Sequence, residues 1–383
     1  MKDQRSNCFS GSPSVNPFFF FVVAAAFAYV LIVYDCHPAL VVTGVTKSEP
    51  SCDLFRGNWV RNESYPLYNA SRCPFAEQGF NCLANGRNDT DYMKYQWKPE
   101  ECDVPRFDPK EALEGLRGKR VVFVGDSLSR TQWESFICML ITGVDDQKSV
   151  YEINRNGITR QIRFLGVRFA SFDLQVDFYR SVFLVMPGSR PRGAPKRVTW
   201  TLRLDEIDDI NKKWIDSDVL VFNSGHWWCH EKLSRAGLYF NNSMQLGMPI
   251  PSAFRRGLET WASWVDANVN KTRTRVFFRT FESTHWSGVG GRSCEITLLP
   301  SKEMGGRDKS FVTDTVLDVL EKMKTRVIPL RVTPMGAYRS DGHAGRWSYE
   351  PAVPDCTHWC LPGVPEAWNE ILFSFILSKT KTS

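Results

Sequence analysis

The stretch RVVFVGDSLSRTQWESFICM, residues 120–139, reads as a strand, a tight turn and a helix in direct succession. Its run Val121–Val124 is continuously apolar, which is typical of a strand buried on both faces of a parallel sheet. Gly125 allows the tight turn, and the residues from Gln132 onwards have the pattern of a helix. The stretch therefore predicts that Ser127 stands at the C-terminal edge of a buried strand, beside the N-terminus of a helix.

Similar apolar runs recur along the chain and alternate with helical patterns. The runs are Val219–Phe222, Arg275–Phe278 and Val327–Leu330. Apolar residues at helical spacing lie between them, from Phe254 to Val269 and from Val312 to Met323. Residues 160–204 alternate partially, which predicts antiparallel strands beside the main sheet. Strands that alternate with helices predict an α/β fold with a parallel sheet flanked by helices.

The composition excludes several classes of protein. The chain has 383 residues, of which 43% are hydrophobic and 23% charged, so a disordered or collagen-like chain is excluded. The formal net charge of +6 is mild for this length, and we expect no nucleic-acid partner. The basic segment PGSRPRGAPKR, residues 187–197, is interpreted as a solvated flap rather than a nucleic-acid site.

The N-terminus has the pattern of a membrane anchor. Residues 17–34, PFFFFVVAAAFAYVLIVY, are almost wholly apolar, and Lys2 and Arg5 precede them. About 20 apolar residues span a bilayer as a helix, and the positive charges favour a cytosolic N-terminus. We therefore expect a cytosolic tail at 1–16, a signal-anchor helix in the lipid bilayer at 17–34 and a linker at 35–50. A cleaved signal peptide is the alternative.

Two further features indicate that the rest of the chain is translocated. Five N-x-[ST] sequons follow the apolar run, at Asn62, Asn69, Asn88, Asn241 and Asn270. Nine of the eleven cysteines lie beyond Cys36, which stands at the exit of this run, in the part expected to be translocated, where disulfides persist. No CxxC pair is present, so no metal site is expected. Residues 51–106 carry four of these cysteines with little periodicity, which predicts a disulfide-stapled subdomain packed on a larger domain at 107–383.

A serine nucleophile requires a base and a residue that orients the base. Near the C-terminus, Asp355 and His358 stand three residues apart in DCTHWC. The carboxylate could hold the imidazole Nδ1–H and leave Nε2 to face Ser127, while Cys356 and Cys360 could fix the segment rigidly. The alternatives are structural: Ser127 as an ordinary helix cap, Asp355 as a cap of the last helix and His358 as a packing contact.

Two more blocks follow predicted strands. In NSGHWW, residues 223–228, Asn223 could donate a hydrogen bond to an oxyanion and His226 is a rival general base, although a simple turn is also compatible. In FFRTFESTHW, residues 277–286, His285 could contact a substrate, as could His343 in RSDGH. A structural role is an equally good interpretation of either histidine.

The blocks together are more specific than any one of them. GDS at 125–127, Asn223 with Gly225, and Asp355-x-x-His358 resemble the SGNH (GDSL-type) esterases in composition and order. The whole segment from Cys52 to Leu377 resembles the plant trichome birefringence-like family. The resembling stretches are CDLFRGNWV, CPFAEQGFNC, YQWKPEEC, VGDSLSRTQWESFIC, NSGHWW, FFRTFESTHW, RSDGH and DCTHWCLPGVPEAWNEIL.

This resemblance implies a Golgi type II membrane protein, with its catalytic domain in the lumen, that O-acetylates cell-wall polysaccharides. It implies a catalytic triad of Ser127, His358 and Asp355, an acetyl-enzyme on Ser127 and no metal. The acetyl donor would be a co-substrate, either acetyl-CoA or a donor derived from it. A membrane partner is one candidate for its supply. No bound cofactor is expected.

The remaining site assignments follow from the chemistry that such a triad would perform. The oxyanion would be held by the Ser127 N–H and Asn223, with Arg130 and Gly166 as further candidates. Substrate contacts are expected from residues that could pack against a sugar or bind its hydroxyls: His226, Trp227, Trp228, His285 and Trp286. Core packing is the alternative interpretation of the three tryptophans. The family implies xylan, xyloglucan, mannan or pectin as acceptor, and the basic segment 187–197 weakly favours an acidic pectic chain. An acetyl esterase with the same triad and a non-catalytic polysaccharide-binding protein are the alternatives.

The resembling blocks also divide the cysteines. They contain Cys52, Cys73, Cys82, Cys102, Cys138, Cys356 and Cys360, and Cys294 follows FFRTFESTHW by eight residues. Four disulfides are expected among these eight cysteines. Eight cysteines allow 105 pairings; Cys52–Cys102 and Cys73–Cys138 are the two pairs proposed. Cys229, just beyond NSGHWW, is expected to be free.

Overall fold

A computed structural model describes residues 52–287, 293–349 and 353–378. The predicted cytosolic tail, anchor and linker at 1–50 lie outside the described residues. Within these ranges, no helix combines the length and the apolar character needed to cross a membrane.

Short strands dominate the described chain, with seven helices of very different length. The strands are β1 Gly57–Arg61, β2 Tyr95–Pro99, β3 Arg120–Gly125, β4 Val150–Glu152, β5 Phe164–Phe169, β6 Leu174–Arg180, β7 Val185–Ser189, β8 Trp200–Ile207, β9 Val219–Phe222, β10 Ala236–Phe240, β11 Ser243–Met244, β12 Arg275–Arg279, β13 Trp286–Ser287, β14 Ser293–Cys294, β15 Val327–Leu330, β16 His343–Gly345 and β17 Asp355–Trp359. The helices are α1 Pro109–Gly115, α2 Ser127–Ile141, α3 His230–Leu233, α4 Ile250–Asn268, α5 Phe311–Glu321, α6 Thr333–Ala337 and α7 Val364–Leu377.

The main sheet has seven strands in the order β15-β12-β9-β3-β6-β5-β4. The first five of these run parallel to one another, and β5 and β4 complete the edge as antiparallel strands. The four strands predicted from apolar runs, β3, β9, β12 and β15, are consecutive neighbours in this order. The predicted parallel α/β sheet is therefore confirmed.

Both faces of the sheet are covered, which explains the continuous apolar run in β3. Val121 and Phe123 belong to one hydrophobic core, together with residues of α2 and α7. Val122 and Val124 belong to the other, with residues of α4 and α5. None of these four side chains is exposed, and each buried side chain of this size stabilises the fold by about 1.5–3 kcal/mol. A strand in this position has no face on which a polar residue could reach water.

The prediction for residues 160–204 is confirmed only in part. Strand β5 is antiparallel to β6, but β6 itself runs parallel to β3 inside the main sheet. Strands β7 and β8 pair antiparallel in a second, four-stranded sheet with the order β11-β10-β8-β7.

The N-terminal segment 52–106 contains little regular structure apart from the antiparallel pair β1–β2. Its aromatic residues Phe55, Tyr68 and Trp97 are buried in the same core as α2 and α7. Cross-links hold it in place: Cys52–Cys102 closes the segment, Cys73–Cys138 joins it to α2, and Cys82–Cys360 joins it to the C-terminal region. Loop-rich chain of this kind depends on cross-links because it buries little apolar surface by itself.

The cysteine predictions are confirmed. The fourth disulfide joins Cys294 to Cys356, so all eight expected cysteines are paired, and both proposed pairs are present. Cys229 is the free cysteine among the described residues.

Candidate active site

The site begins where β3 ends. Asp126 caps α2, because its Oδ1 accepts the N–H of Leu128 at 2.9 Å, and Ser127 is therefore the first residue of the helix. Gly125 lies so close to β9 that a Cβ placed there would stand 1.8 Å from Asn223 Oδ1. Only glycine permits this approach of the two strand ends, which brings the residues after β3 and β9 to the same sheet edge.

Ser127, His358 and Asp355 form a continuous hydrogen-bonded relay. The distance from Ser127 Oγ to His358 Nε2 is 2.7 Å, and that from His358 Nδ1 to Asp355 Oδ2 is 2.6 Å. Burial disfavours the charged Asp355, but the charge of His358 and the hydrogen bonds outweigh this and hold the carboxyl pKa well below its ordinary value. A carboxylate that stays ionised orients the imidazole so that Nε2 can take the hydroxyl proton.

Asp355 and His358 belong to strand β17, a short strand outside the main sheet whose Trp359 is fully buried in the core. Asp355 Oδ1 accepts the N–H groups of both Thr357 and His358 at 2.9 Å, which places the carboxylate beside the imidazole. The strand pairs antiparallel with β16, and His343 Nδ1–H donates to the His358 carbonyl oxygen at 3.1 Å. The disulfides Cys294–Cys356 and Cys82–Cys360 attach both sides of this strand to the rest of the molecule.

A cavity of about 690 Å³ opens over the three residues. Glu77 and Phe80 of the N-terminal segment form one wall, and the Phe80 ring centroid lies 5.6 Å from that of His358. Residues at the end of β6 and after β9 form another wall. The N-terminal segment is thus part of the site rather than a remote support.

The proposed oxyanion donors differ in position. The Ser127 N–H belongs to the first turn of α2, where N–H groups have no intrahelical acceptor. Asn223 is buried, and its amide donates to Asp126 Oδ1 at 3.0 Å while its Oδ1 accepts the Asp126 N–H at 3.2 Å. Asn223 therefore fixes the turn that carries Ser127, and a role as oxyanion donor stays a prediction.

Arg130 lies in the cavity wall, but its charge is already compensated. Its guanidinium forms an ion pair with Glu77 and lies 3.3 Å from Glu134. Burial raises the pKa of Glu134 to about 8. Glu134 also accepts the backbone N–H of Glu77 at 2.8 Å, so these three residues attach the N-terminal segment to α2.

The prediction for Gly166 is wrong. Gly166 lies within β5, opposite Asp177 of β6, and its N–H donates to Glu152 Oε1 at 3.2 Å. Asp177 in turn pairs with Val122, in the middle of β3 rather than at the end that leads to Ser127. An N–H that is already donated inside the sheet cannot hold a developing oxyanion.

Of the five residues expected to contact substrate, His226, Trp227 and Trp286 line the cavity. His226 Nε2 lies 3.1 Å from Glu282 Oε2, and burial lowers the pKa of His226 to about 4, so the ring is neutral at neutral pH. Trp286 Nε1–H donates to Thr357 Oγ1 at 2.8 Å, next to His358.

The predictions for Trp228 and His285 as substrate contacts are wrong. Trp228 is 3% exposed, packs against Phe254 and donates its Nε1–H to Ser224 Oγ. His285 is also buried: Nδ1 lies 2.8 Å from His343 Nε2, and Nε2–H donates to the Ala337 carbonyl oxygen. Their blocks follow strands as expected, but the side chains turn into the core.

Several cavity residues are not among the predicted site residues, and four of them are Glu77, Phe80, Arg180 and Lys232. The first two lie in CPFAEQGFNC, a stretch whose sequence indicates disulfides and the family resemblance but no site. Arg180 ends β6, a strand whose partner β3 could not be identified from pattern alone.

Four of the five sequon asparagines, Asn69, Asn88, Asn241 and Asn270, are exposed, and Asn62 is half-buried. Their glycosylation stays a prediction. Within the described ranges, no group of three or more His, Cys, Asp or Glu side chains is arranged to hold a metal ion.

Comparison with known proteins places these features in a family. Residues 104–375 match the GDSL/SGNH-like acyl-esterase family found in Pmr5 and Cas1p, and residues 50–103 match the PMR5 N-terminal domain. Trichome birefringence-like protein 7 of Arabidopsis thaliana is 53% identical over 365 residues, which cover 94% of this chain and 82% of that protein. Trichome birefringence-like protein 9 of the same plant is 39% identical over 91% of this chain and 90% of its own length. The chain therefore belongs to the trichome birefringence-like family and carries its GDSL/SGNH-like acyl-esterase domain.

Proposed function

We propose that the protein transfers acetyl groups to hydroxyls of a plant cell-wall polysaccharide, pectin or hemicellulose, through an acetyl-enzyme on Ser127. One observation carries this proposal: the relay from Asp355 through His358 to Ser127 opens into a cavity with room for a sugar. The membership of an acyl-esterase family supports chemistry at an acyl group.

The reaction has two displacements. His358 Nε2 takes the proton of Ser127 Oγ as the oxygen attacks the acetyl carbonyl carbon, and then returns that proton to the leaving group of the donor. A sugar hydroxyl next gives its proton to His358 Nε2 as its oxygen attacks the acetyl carbonyl carbon. The ester bond to Ser127 Oγ then breaks, and His358 returns the proton to Ser127 Oγ. Asp355 stabilises the imidazolium formed in each step, and the Ser127 N–H at the helix N-terminus stabilises the oxyanion.

The setting we propose rests on the apolar run for the anchor and on the family resemblance for the Golgi and the donor. The segment 17–34 anchors the protein in the Golgi membrane with the catalytic domain in the lumen. The donor is acetyl-CoA or an acetyl carrier derived from it. A membrane partner is one candidate for its delivery. Transfer exceeds hydrolysis only if the bound acceptor excludes water from the acetyl-enzyme.

A polysaccharide acetyl esterase is the second candidate, and the description of the matching family as acyl-esterases favours it. The same three residues would act, with water as the acceptor. Incubation with a labelled acetyl donor and a panel of wall oligosaccharides separates the two. Labelled oligosaccharide supports transfer, whereas release of acetate alone, from the donor or from acetylated oligosaccharides, rejects it in favour of hydrolysis.

The variant Ser127→Ala tests whether the protein is an enzyme at all. We expect it to bind oligosaccharide as the wild type does and to lose the acetylation activity. Full activity in this variant would show that the proposed nucleophile is wrong. Binding by the wild type, without any turnover, would identify a non-catalytic polysaccharide-binding protein.

A further inference from the structure

Two cations in the cavity wall share one aromatic ring. The guanidinium carbon of Arg180 lies 5.2 Å from the ring centroid of Trp227, and Lys232 Nζ lies 4.9 Å from it. All three residues line the cavity that contains Ser127. Trp227 therefore holds cations in the cavity wall by cation–π contacts, in addition to any contact that it makes with a sugar.

These cations differ from Arg130 in one respect. Arg130 forms an ion pair with Glu77. Within the described part of the chain, neither Arg180 nor Lys232 forms an ion pair with a carboxylate. Glu231 lines the same cavity, so the wall formed by the end of β6 and the residues after β9 carries two cations and one carboxylate, and its net charge is positive.

The position of Arg180 is fixed relative to Ser127. Arg180 is the last residue of β6 and is paired in register with Gly125, two residues before Ser127. The next residue, Ser181, donates its N–H to the Gly125 carbonyl oxygen at 2.9 Å. A ligand group bound by Arg180 would thus be held at the sheet edge from which the Ser127 hydroxyl also projects.

The environment of Arg180 favours an anion. The side chain is half-buried, and burial together with the nearby Arg130 lowers its pKa below the ordinary value for arginine, which outweighs the opposite effect of the Asp126 carboxylate. A cation that has lost part of its hydration gains most from a hydrogen-bonded oxyanion, since charge-assisted bonds to oxygen are about twice as strong as neutral ones. Guanidinium groups bind planar carboxylates and phosphates in a bidentate geometry.

We propose that Arg180, with Lys232 at the rim, forms a subsite for an anionic oxygen group of a substrate. This inference deepens the function proposed above and rests on the same cavity. Two substrates offer that chemistry: the carboxylate of a uronosyl residue in an acidic acceptor chain, and a phosphate of the acetyl donor. Arg180 would hold either substrate beside Ser127 through the anionic group of that substrate, while its reacting hydroxyl or acetyl group faces the serine.

Binding to the intact Ser127→Ala protein tests the subsite without any turnover. One arm compares an oligogalacturonide with its methyl-esterified form, and the other compares acetyl-CoA with S-acetylpantetheine, which lacks the phosphates. In the arm that contains the true ligand, Arg180→Gln should raise the dissociation constant of the charged ligand about tenfold or more and leave that of the uncharged one unchanged. Arg180→Lys should restore part of the affinity.

The matched control is Lys119→Gln, which removes the same charge just before β3, at the opposite edge of the sheet. It should leave all four dissociation constants unchanged. An effect in the oligogalacturonide arm assigns the anion to the acceptor, and an effect in the acetyl-CoA arm assigns it to the donor. If Arg180→Gln changes neither arm, or if the control has an equal effect, the subsite does not exist.

The outcomes separate this inference from the proposed function. Acetyl transfer by the wild type without any dependence on Arg180 removes the subsite and leaves the transferase. Binding that depends on Arg180, in a protein without acetyl transfer, removes the transferase and leaves the subsite.

Discussion

The two segments that meet in the Ser127–His358 hydrogen bond are held in place by different means. The first segment consists of β3, in the centre of the main sheet, and the helix α2 that follows it. Val121–Val124 of β3 are fully buried between two cores. The second, β17, belongs to a two-stranded ladder and is fixed by two disulfides. Burial within the sheet therefore positions the nucleophile, whereas two cross-links, together with the buried Trp359, position its base.

The difference has a consequence for how the site can fail. The nucleophile segment cannot move without disrupting the core of the fold. The base segment can lose its position while the sheet stays folded. Four changes test this contrast, and they are taken in order of their expected effect on activity.

Asp355→Asn should have the largest effect. The amide removes the negative charge that stabilises the His358 imidazolium and can favour the wrong tautomer, so kcat on a small acetyl ester should fall about 10⁴-fold. The melting temperature should change little, because β17 lies outside the main sheet and both its disulfides remain. Steady-state kinetics and thermal unfolding check the two parts, and activity within tenfold of the wild type would contradict the relay.

Gly125→Ala tests the nucleophile segment. The new Cβ would collide with Asn223 Oδ1 and with the Asn223 carbonyl oxygen, 2.7 Å away, so β3 and β9 must separate. A displacement of about 1 Å at the nucleophile costs about 100-fold in rate, and the free energy of unfolding should fall as well. Gly157→Ala is the control, since the nearest atom to its Cβ is 4.0 Å away, and it should match the wild type in kcat and stability.

Removal of single disulfides compares the two segments directly. Cys294–Cys356 and Cys73–Cys138 close loops of nearly equal length, with sequence separations of 62 and 65. The chain-entropy model gives a similar loss for both double serine variants, about 4 kcal/mol of unfolding free energy. Denaturant unfolding measures this loss.

The activities of these two variants should differ under conditions in which both are folded. Loss of Cys294–Cys356 loosens β17 and should lower kcat about tenfold through misplacement of His358. Loss of Cys73–Cys138 should leave kcat within about twofold, because α2 is held by burial as well. Equal kcat values for the two variants would refute the contrast between burial and cross-links.

The last prediction concerns the pH dependence of stability, and it is the one for which we expect the smallest effect on activity at neutral pH. The pKa of His226 is lowered by burial from 6.5 to about 4 in the folded protein. The unfolded chain therefore binds more protons between these values, and stability falls as the pH falls from about 6.5 to about 4, by up to about 3 kcal/mol from this one group. Urea unfolding at pH 7 and pH 5 in wild type and His226→Gln checks this, and the variant should lose less stability on acidification. An equal loss in both would show that His226 does not cause the effect.

The parts of the site that the sequence predicted are those with local signals. The apolar run of β3, the glycine turn and the helical pattern placed Ser127 at a sheet edge, and the spacing of Asp355 and His358 suggested their contact. Predictions for Trp228, His285 and Gly166 failed for a common reason. Whether a side chain at a strand end turns into a core or a cavity depends on elements packed against it from distant parts of the chain, such as Phe254 against Trp228.

By itself, the sequence determined the parallel α/β sheet, the eight paired cysteines and the three residues of the relay, because burial patterns, turn residues and recognisable blocks are local properties. Only the tertiary structure decided that Ser127 and His358, 231 positions apart, meet within hydrogen-bonding distance. It also decided that the N-terminal segment supplies a cavity wall and that Arg180 stands beside Gly125. Strand order and side-chain burial arise from contacts between segments far apart in the chain, and no local pattern encodes them.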